Sequence, residues 1–194
     1  RRFPDSDGAD KCTVLISRLT EPELQLTLQE ESPPDQPQPA LVQFRNITEL
    51  NFKIIRINFE INRLLNESYR KKSELTNQYN SYEPLHKWFI EIPAQNDYQP
   101  HSMEIKIPEL DLGYYIILSS PDPGFNPDSS LVAFAPFRIS NISYVSRKDD
   151  HGAYQVHVLD RESGEAIPEA LSRIYYRNYD YSTRKYEYIG GEVF

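Results

Sequence analysis

The strongest constraint on the fold is the stretch 134–145, which reads Phe-Ala-Pro-Phe-Arg-Ile-Ser-Asn-Ile-Ser-Tyr-Val. Apolar residues alternate with other residues on both sides of Ser140 and Asn141. Alternation of this kind is typical of strands with one buried face. The stretch therefore predicts the last strand of one β-domain followed, with almost no linker, by the first strand of a second. Two domains joined so closely have little freedom to swing.

Composition limits the classes of protein to which the chain can belong. At 194 residues it can hold one domain or two, since domains commonly run about 100 to 150 residues. Aromatic residues make up 12% of the chain, with 14 tyrosines, which favours a folded, β-rich protein over a disordered one. The formal net charge of −8 argues against nucleic acid as a partner. No apolar run approaches the roughly 20 residues that span a bilayer, so no transmembrane segment is predicted.

Alternating apolar residues predict seven strands before residue 140. They are 24–28, 41–47, 50–57, 86–92, 103–107, 114–118 and 131–139. The third is apolar on both faces, which indicates a central position in its sheet. Beyond the junction, alternation continues over 154–159, 174–176 and 186–189. The pattern therefore predicts an antiparallel, all-β sandwich followed by a second, partial β-domain.

Two segments break the strand pattern. Residues 59–79 place Ile61, Leu65 and Tyr69 at helical spacing, which predicts an amphipathic helix inserted between strands. Residues 14–19 fit a short helix with Asp10 as its N-cap and Pro22 as its stop. We therefore assign 1–20 as a helical lead-in, 21–140 as the sandwich and 141–194 as the start of a second sandwich. Because about 54 residues can bury little core, the second domain is expected to be truncated or to rest on the first.

Two turns carry sequence signatures. Gly113 permits a tight turn before a strand that begins Tyr114-Tyr115, and a tyrosine placed there can hydrogen-bond back across the corner of a Greek-key sandwich. The run Asp160 to Gly164 predicts a hairpin loop with Gly164 in a left-handed conformation.

We find no motif that carries chemistry. Asp5, Asp7 and Asp10 resemble the opening of a calcium loop, but the later ligands of an EF-hand are missing, and a solvated lead-in is favoured. Ser68 and Lys71 match the Ser-x-x-Lys nucleophile motif without its companion elements. The four histidines are scattered over the chain. We therefore predict no catalytic, metal-binding or cofactor-binding residue, and not an enzyme.

Four tyrosines within residues 175–181 form the one candidate binding surface. They are Tyr175, Tyr176, Tyr179 and Tyr181. Exposed aromatic rings could stack on sugar rings, or the same residues could be one face of a sheet packed on its neighbour; the second interpretation is favoured. Three Asn-x-Ser/Thr sequons, at Asn46, Asn66 and Asn141, would carry glycans only in a eukaryotic secreted protein.

Several motifs in series resemble the macroglobulin-type β-sandwich modules of large bacterial α2-macroglobulin-like proteins, and the resemblance covers nearly the whole chain. The motifs are Phe3-Pro-Asp with Cys12, Val42-Gln-Phe-Arg-Asn46 leading into Leu50-Asn-Phe-Lys-Ile54, Asn96-Asp-Tyr98 with His101-Ser102, Leu110-Asp-Leu-Gly-Tyr-Tyr115, Phe137-Arg-Ile-Ser-Asn-Ile142, and the run from Val158 to Ala170. The resemblance implies a macroglobulin/immunoglobulin-like sandwich and a fragment of a multidomain protein in the bacterial envelope, periplasmic or associated with the outer membrane or cell surface.

The same resemblance defines the expected role. Some members carry a thioester, made from a Cys-x-Glu-Gln run, that captures attacking proteases; Cys12 is followed by Thr13-Val14-Leu15, so this chain departs from that pattern. What it implies here is a non-catalytic scaffold without a cofactor, whose partners are neighbouring domains of the same chain and, through regions outside it, proteases. The alternative is a carbohydrate-binding or adhesion module of a surface protein that uses the tyrosine-rich segment.

Overall fold

The computed structural model describes residues 6–58, 72–95, 97–150, 152–182 and 185–193. Part of the helix predicted over 59–79 therefore lies outside the described residues, together with the Ser68 to Lys71 motif and the sequon at Asn66. Two helices are described, α1 (Asp7–Thr20) and α2 (Lys72–Asn80).

An all-β sandwich occupies the first part of the chain, and the predicted fold class is confirmed. Its strands are β1 (Glu23–Leu28), β2 (Glu31–Ser32), β3 (Gln38–Arg45), β4 (Glu49–Ile57), β5 (His86–Glu91), β6 (His101–Ile107), β7 (Gly113–Ser120) and β8 (Ala133–Ile139). One sheet has the order β1-β3-β6 and the other β2-β8-β7-β4-β5. The order places β4 inside its sheet, between β7 and β5, as its two apolar faces predicted.

The main core lies between these two sheets. Strand β3 buries every second residue, including Val42 and Phe44, because its pleat turns one face inward. From the other sheet, β4 contributes Leu50, Phe52 and Ile54 to the same core. The Phe52 ring stacks on Trp88 of β5 with ring centroids 5.2 Å apart.

A second, smaller core covers the outer face of the five-stranded sheet. Ile55 and Ile57 of β4 point into it and pack with Tyr79 of α2 and Phe125 of the loop before β8. Helix α2 and this loop therefore protect the face of β4 that the three-stranded sheet does not cover.

Strand β2 adds an eighth, two-residue strand to the seven predicted. Glu31 and Ser32 pair in parallel with Arg138 and Ile139 of β8, whereas the other paired strands described here run antiparallel. Two residues are too few to show a period of two, so the sequence carries no signal for this strand. Its position brings Glu31 to the end of the sandwich at which the chain leaves it.

Helix α1 is longer than the sequence predicted and begins at a different cap. Ser6, rather than Asp10, is the N-cap, because its Oγ accepts a hydrogen bond from the backbone N–H of Ala9 at 3.3 Å. The helix ends at Thr20, before Pro22, and none of its residues is buried. Asn46 Nδ2 donates to the backbone oxygens of Leu19, at 2.6 Å, and Glu21, at 3.2 Å. Those bonds hold the end of α1 against the end of β3.

After residue 141 the chain forms two antiparallel hairpins. The first joins β9 (Ile142–Lys148) to β10 (Tyr154–Asp160), and the second joins β11 (Arg173–Asp180) to β12 (Lys185–Val193). The tight reversal predicted after β10 is present, with Gly164 at φ +71° and its N–H donating to the Asp160 carbonyl at 2.9 Å.

Candidate functional site

The most highly organised feature among the described residues is the junction between the sandwich and the first hairpin. Strand β8 ends at Ile139 and β9 begins at Ile142, so only Ser140 and Asn141 lie between them. The Ser140 N–H donates to the Ser32 carbonyl at 2.9 Å, and the Ser140 Oγ accepts from the Ile142 N–H at 3.1 Å. Both linker ends are therefore held by hydrogen bonds, in agreement with the short connection that the sequence predicted.

Glu31 connects the two sides of this junction. One of its carboxylate oxygens accepts a hydrogen bond from Nη2 of Arg138, on β8, and the other accepts from Nη2 of Arg161, which directly follows β10. Ion pairs with guanidinium groups are directional as well as charged. A single carboxylate thus holds an arginine of the sandwich and an arginine of the hairpin at the same time.

Arg161 is fixed by more than its ion pair. Its backbone N–H donates to the Asn141 carbonyl at 2.7 Å, and its Nη2 also donates to the Ile142 carbonyl at 3.1 Å. The turn that follows is ordered by Asp160, whose carboxylate accepts from the N–H groups of Glu162 and Ser163. The hydrogen bond from the Ser163 N–H is the main cause that lowers the pKa of Asp160. This carboxylate is therefore committed to its own turn.

A cavity of about 340 Å³ opens beside this ion-pair cluster. Its walls include Arg138, Arg161 and Glu31 together with the aromatic residues Tyr114 and Tyr144. The side chain of Arg138 remains 43% exposed, whereas that of Glu31 is 19% exposed. Solvent thus reaches the arginines more easily than the carboxylate that they share.

The four predicted tyrosines are only partly brought together. Tyr179 and Tyr181 meet edge to face, with ring centroids 5.0 Å apart, and Tyr181 is 86% exposed. Tyr175 lies four residues before Tyr179 on β11, which corresponds to about 13 Å along the strand. Its ring lies beside Gly190 of β12. Tyr176 pairs with Ile189 in the register, and its side chain is outside the described structure. The candidate binding surface stays a prediction.

A histidine–carboxylate pair lies at the start of β6, which is an edge strand of the three-stranded sheet. His101 Nε2 is 3.0 Å from Asp97 Oδ1, and the Asp97 carboxylate also accepts from the Gln99 N–H at 3.0 Å. The hydrogen bond from Gln99, followed by that from His101, lowers the pKa of Asp97. A cavity of about 230 Å³ beside His101 is lined by Phe44, Tyr98 and other residues.

Lys53 is a buried cation on the outer face of β4. Its Nζ donates to Asn80 Oδ1 of α2 and lies 4.7 Å from the centroid of the Phe125 ring. Burial is the main cause that lowers its pKa, and the nearby charge of Lys87 lowers it further. Asn80 Nδ2 in turn donates to the Phe125 carbonyl at 2.7 Å. The lysine thus joins β4, α2 and the loop, which is a structural role.

Sequence reasoning did not find Glu31, Arg138 or Arg161. Glu31 and Arg161 are separated by 130 positions, and although Arg161 lies in the run from Val158 to Ala170, nothing in that run indicates an ion pair. Among the described residues, no group of three or more His, Cys, Asp or Glu is arranged to hold a metal ion. Neither described helix is long and apolar enough to cross a bilayer. Cys12 is exposed on α1 and forms no disulfide.

The chain is similar to two solved structures at the level of the fold. One is Salmonella α2-macroglobulin reacted with methylamine, with 10% identity and a TM-score of 0.38 over 90% of this chain and 14% of that one. The other is a CARDB domain of a Pyrococcus furiosus protein in complex with di-metal ions, with 6% identity and a TM-score of 0.34 over 62% of this chain and 88% of that one. The chain thus spans about one seventh of the macroglobulin. It matches no protein-family model and no curated protein.

Proposed function

We propose that this chain is a non-catalytic scaffold region of a bacterial α2-macroglobulin-like protein of the cell envelope. In this proposal residues 21–140 form one macroglobulin-like sandwich after the lead-in 1–20, and residues 141–194 begin a second. The region holds neighbouring domains in a fixed arrangement around a protease-trapping site encoded elsewhere in the parent protein. The proposal places the parent in the periplasm or at the outer membrane or cell surface.

The observation that carries the proposal is the pairing of Glu31 with Arg138 and Arg161. A connection of two residues limits how far two domains can swing, but it does not by itself fix the rotation of one domain about the connection. The bond from Arg161 to Glu31 opposes that rotation, because the hairpin could turn away only by giving up a charged hydrogen bond, while Arg138 holds the same carboxylate in place from within the sandwich. Such a junction suits a protein whose function is to hold a shape.

Distance measurements between paired spin labels test this rigidity. Glu104 on β6 and Ser146 on β9 are exposed and lie on the two sides of the junction, so nitroxides can be attached to cysteines at these positions after Cys12→Ser. We expect a narrow distance distribution by double electron–electron resonance. Glu31→Gln removes the charge that both arginines share and should broaden the distribution.

Glu30→Gln is the matched control. The Glu30 side chain is exposed, and the residue contacts Arg138 through its backbone carbonyl, which the substitution keeps. It therefore removes the same charge from the neighbouring position without breaking the junction. A broad distribution in the unsubstituted chain, or identical distributions for Glu31→Gln and the unsubstituted chain, would contradict the rigid scaffold.

The parent reading frame tests the family assignment separately from rigidity. A Cys-x-Glu-Gln run downstream of this region, with further β-sandwich segments before it, supports the macroglobulin hypothesis. A carbohydrate-active catalytic domain in the same frame would count against it.

A carbohydrate-binding or adhesion module is the second candidate, favoured by the exposure of Tyr181, whose ring meets that of Tyr179 edge to face. Exposed aromatic faces can stack on the apolar face of a sugar ring. A glycan array probed with the unsubstituted chain and with Tyr181→Ala tests it. Tyr154→Ala, which removes another exposed tyrosine from β10, is the control. Binding that Tyr181→Ala abolishes and Tyr154→Ala retains would support the module; no binding to any glycan would argue against it.

A further inference from the structure

We infer that the cavity beside Arg138 and Arg161 is a binding site for an oxyanion, a carboxylate or a phosphate group. The inference rests on the junction described above but is independent of the scaffold role, since a rigid junction does not require a ligand.

The charges at the cavity do not balance. Among the described residues that line it, two guanidinium groups face a single carboxylate, that of Glu31, which leaves one positive charge in excess. Two carboxylates flank Arg161 in sequence: that of Asp160 accepts hydrogen bonds from the N–H groups of Ser163 and Glu162 in its own turn, and Glu162 does not line the cavity. In a chain with a formal net charge of −8, this excess is local and unusual.

The guanidinium donors are also incompletely used. A guanidinium group carries five N–H donors in a fixed fork. In the described contacts Arg138 uses Nη2 alone, on Glu31. Nε of Arg161 is buried and has no acceptor among the described residues. A buried charged donor without an acceptor is costly, so an acceptor reached by a small rotation of this side chain would be favourable.

The shape and the remaining walls of the cavity fit a small anion. Its volume of about 340 Å³ is ample for a phosphate or a small dicarboxylate. Ser143 and Tyr144, whose side chains carry hydroxyl groups, also line the cavity, and Gly113 adds no side chain. Arginine side chains bind the oxygens of carboxylates and phosphates through charged hydrogen bonds, and both arginines already donate such bonds to the carboxylate of Glu31.

Thermal unfolding and calorimetric titration with two probes test the inference. Inorganic phosphate and succinate are each compared with sodium chloride at equal ionic strength and pH, and the two arms distinguish a phosphate site from a carboxylate site. A ligand that binds only the folded chain raises its unfolding temperature. We expect a rise with at least one probe and none with chloride.

Arg138→Gln removes one fork while leaving Arg161 and its backbone contacts in place. Loss of a charged hydrogen bond should weaken binding by about tenfold or more. Arg147→Gln is the matched control, because Arg147 is an exposed arginine of β9 that bonds Gln155 and does not line the cavity. Equal unfolding temperatures in all three salts, or equal losses of binding in the two variants, would overturn the inference.

The two proposals fail separately. A narrow spin-label distribution without any response to phosphate or succinate removes the oxyanion site and keeps the scaffold. Binding of a probe by a chain with a broad distribution removes the rigid scaffold and keeps the site.

Discussion

The hydroxyl of Tyr115 donates a hydrogen bond to the backbone carbonyl of Asp111, at a distance of 2.7 Å and four residues earlier in the chain. This bond fixes the corner at which the chain enters β7, and the Tyr115 ring stacks on Phe137 of β8 inside the main core. Tyr115 thus joins a loop carbonyl to the centre of the sandwich. It is the tyrosine corner that the Gly-Tyr-Tyr sequence predicted.

Tyr115→Phe removes only the hydroxyl and should lower the free energy of unfolding by about 1 kcal/mol, the usual net value of one hydrogen bond. Urea unfolding followed by circular dichroism measures the change. Tyr144→Phe is the control, because Tyr144 is 64% exposed and the loss of its hydroxyl should be within about 0.5 kcal/mol of neutral. A Tyr115→Phe variant as stable as Tyr144→Phe would show that the corner adds nothing to stability.

Burial raises the pKa of Tyr115 above its ordinary value of 10.0. The unfolded chain therefore loses this proton at a lower pH than the folded chain does. Stability associated with the group is fully present below pH 10 and falls as the pH rises from 10 through the folded pKa. We expect the unfolding free energy of the unsubstituted chain to fall more steeply with pH in this window than that of Tyr115→Phe. Parallel profiles would contradict the shift.

Lys53 should make the unfolding free energy change with pH in the direction opposite to that of Tyr115. Because burial lowers its pKa below 10.5 in the folded chain, the cost of burying the charge is present below the folded pKa and disappears as the pH rises toward 10.5. Stability should therefore rise with pH across this window. Lys53→Met should remove the rise, and Lys87→Met, which changes an exposed lysine, should keep most of it. Unfolding free energies measured at closely spaced pH values decide between these outcomes.

Asp97 should make the free energy of unfolding depend on pH in the acidic range. Its pKa lies below 3.8 in the folded chain because the Gln99 N–H and His101 bind the charged form. The contribution of Asp97 to the unfolding free energy is present above pH 3.8 and is lost as the pH falls through the pKa of the folded chain. Asp97→Asn should flatten the acid limb of the stability profile, whereas Asp128→Asn, at another exposed loop position, should leave it unchanged. An acid limb that is the same in all three proteins would refute the role of this carboxylate.

Gly164→Ala should lower the unfolding free energy by about 1 kcal/mol. The residue has φ +71°, and an added Cβ would meet no atom within 4 Å, so the whole cost comes from forcing an L-residue into the left-handed region. Gly8→Ala, in the first turn of α1, is the control and should be neutral or stabilising. Equal effects at the two positions would contradict the conformational argument.

Most of the sandwich was predictable because its strands are long enough to show their alternation. The limits of β3 were predicted less accurately, because the pattern indicated 41–47 and the strand is Gln38–Arg45. Asn46 has φ 55° and directs its amide to the end of α1, so the strand ends at Arg45, two residues before the next apolar position, Ile47. Strand β2 was missed because a pairing of two residues leaves no periodic pattern.

The junction was predictable in part. Apolar alternation on both sides of Ser140 and Asn141 predicted the short connection, because this pattern lies within a few neighbouring residues. Glu31 and Arg161 could not be found in this way, because nothing in the sequence near either residue indicates a partner 130 positions away. Their pairing depends on the parallel placement of β2 beside β8, which only the three-dimensional structure supplies.

The amide of Asn46 has a practical consequence for the production of this protein. Its nitrogen is the atom to which an oligosaccharide would be attached in the sequon that begins at Asn46. That same nitrogen donates to the carbonyls of Leu19, in the last turn of α1, and of Glu21, the C-cap. A sugar attached there during secretion from yeast or animal cells would remove these two bonds and leave those from Arg45 to the backbone oxygens of Arg18 and Glu21 to hold the end of the helix. Expression in bacteria keeps the amide available, and it is the suitable source of material for each measurement described above.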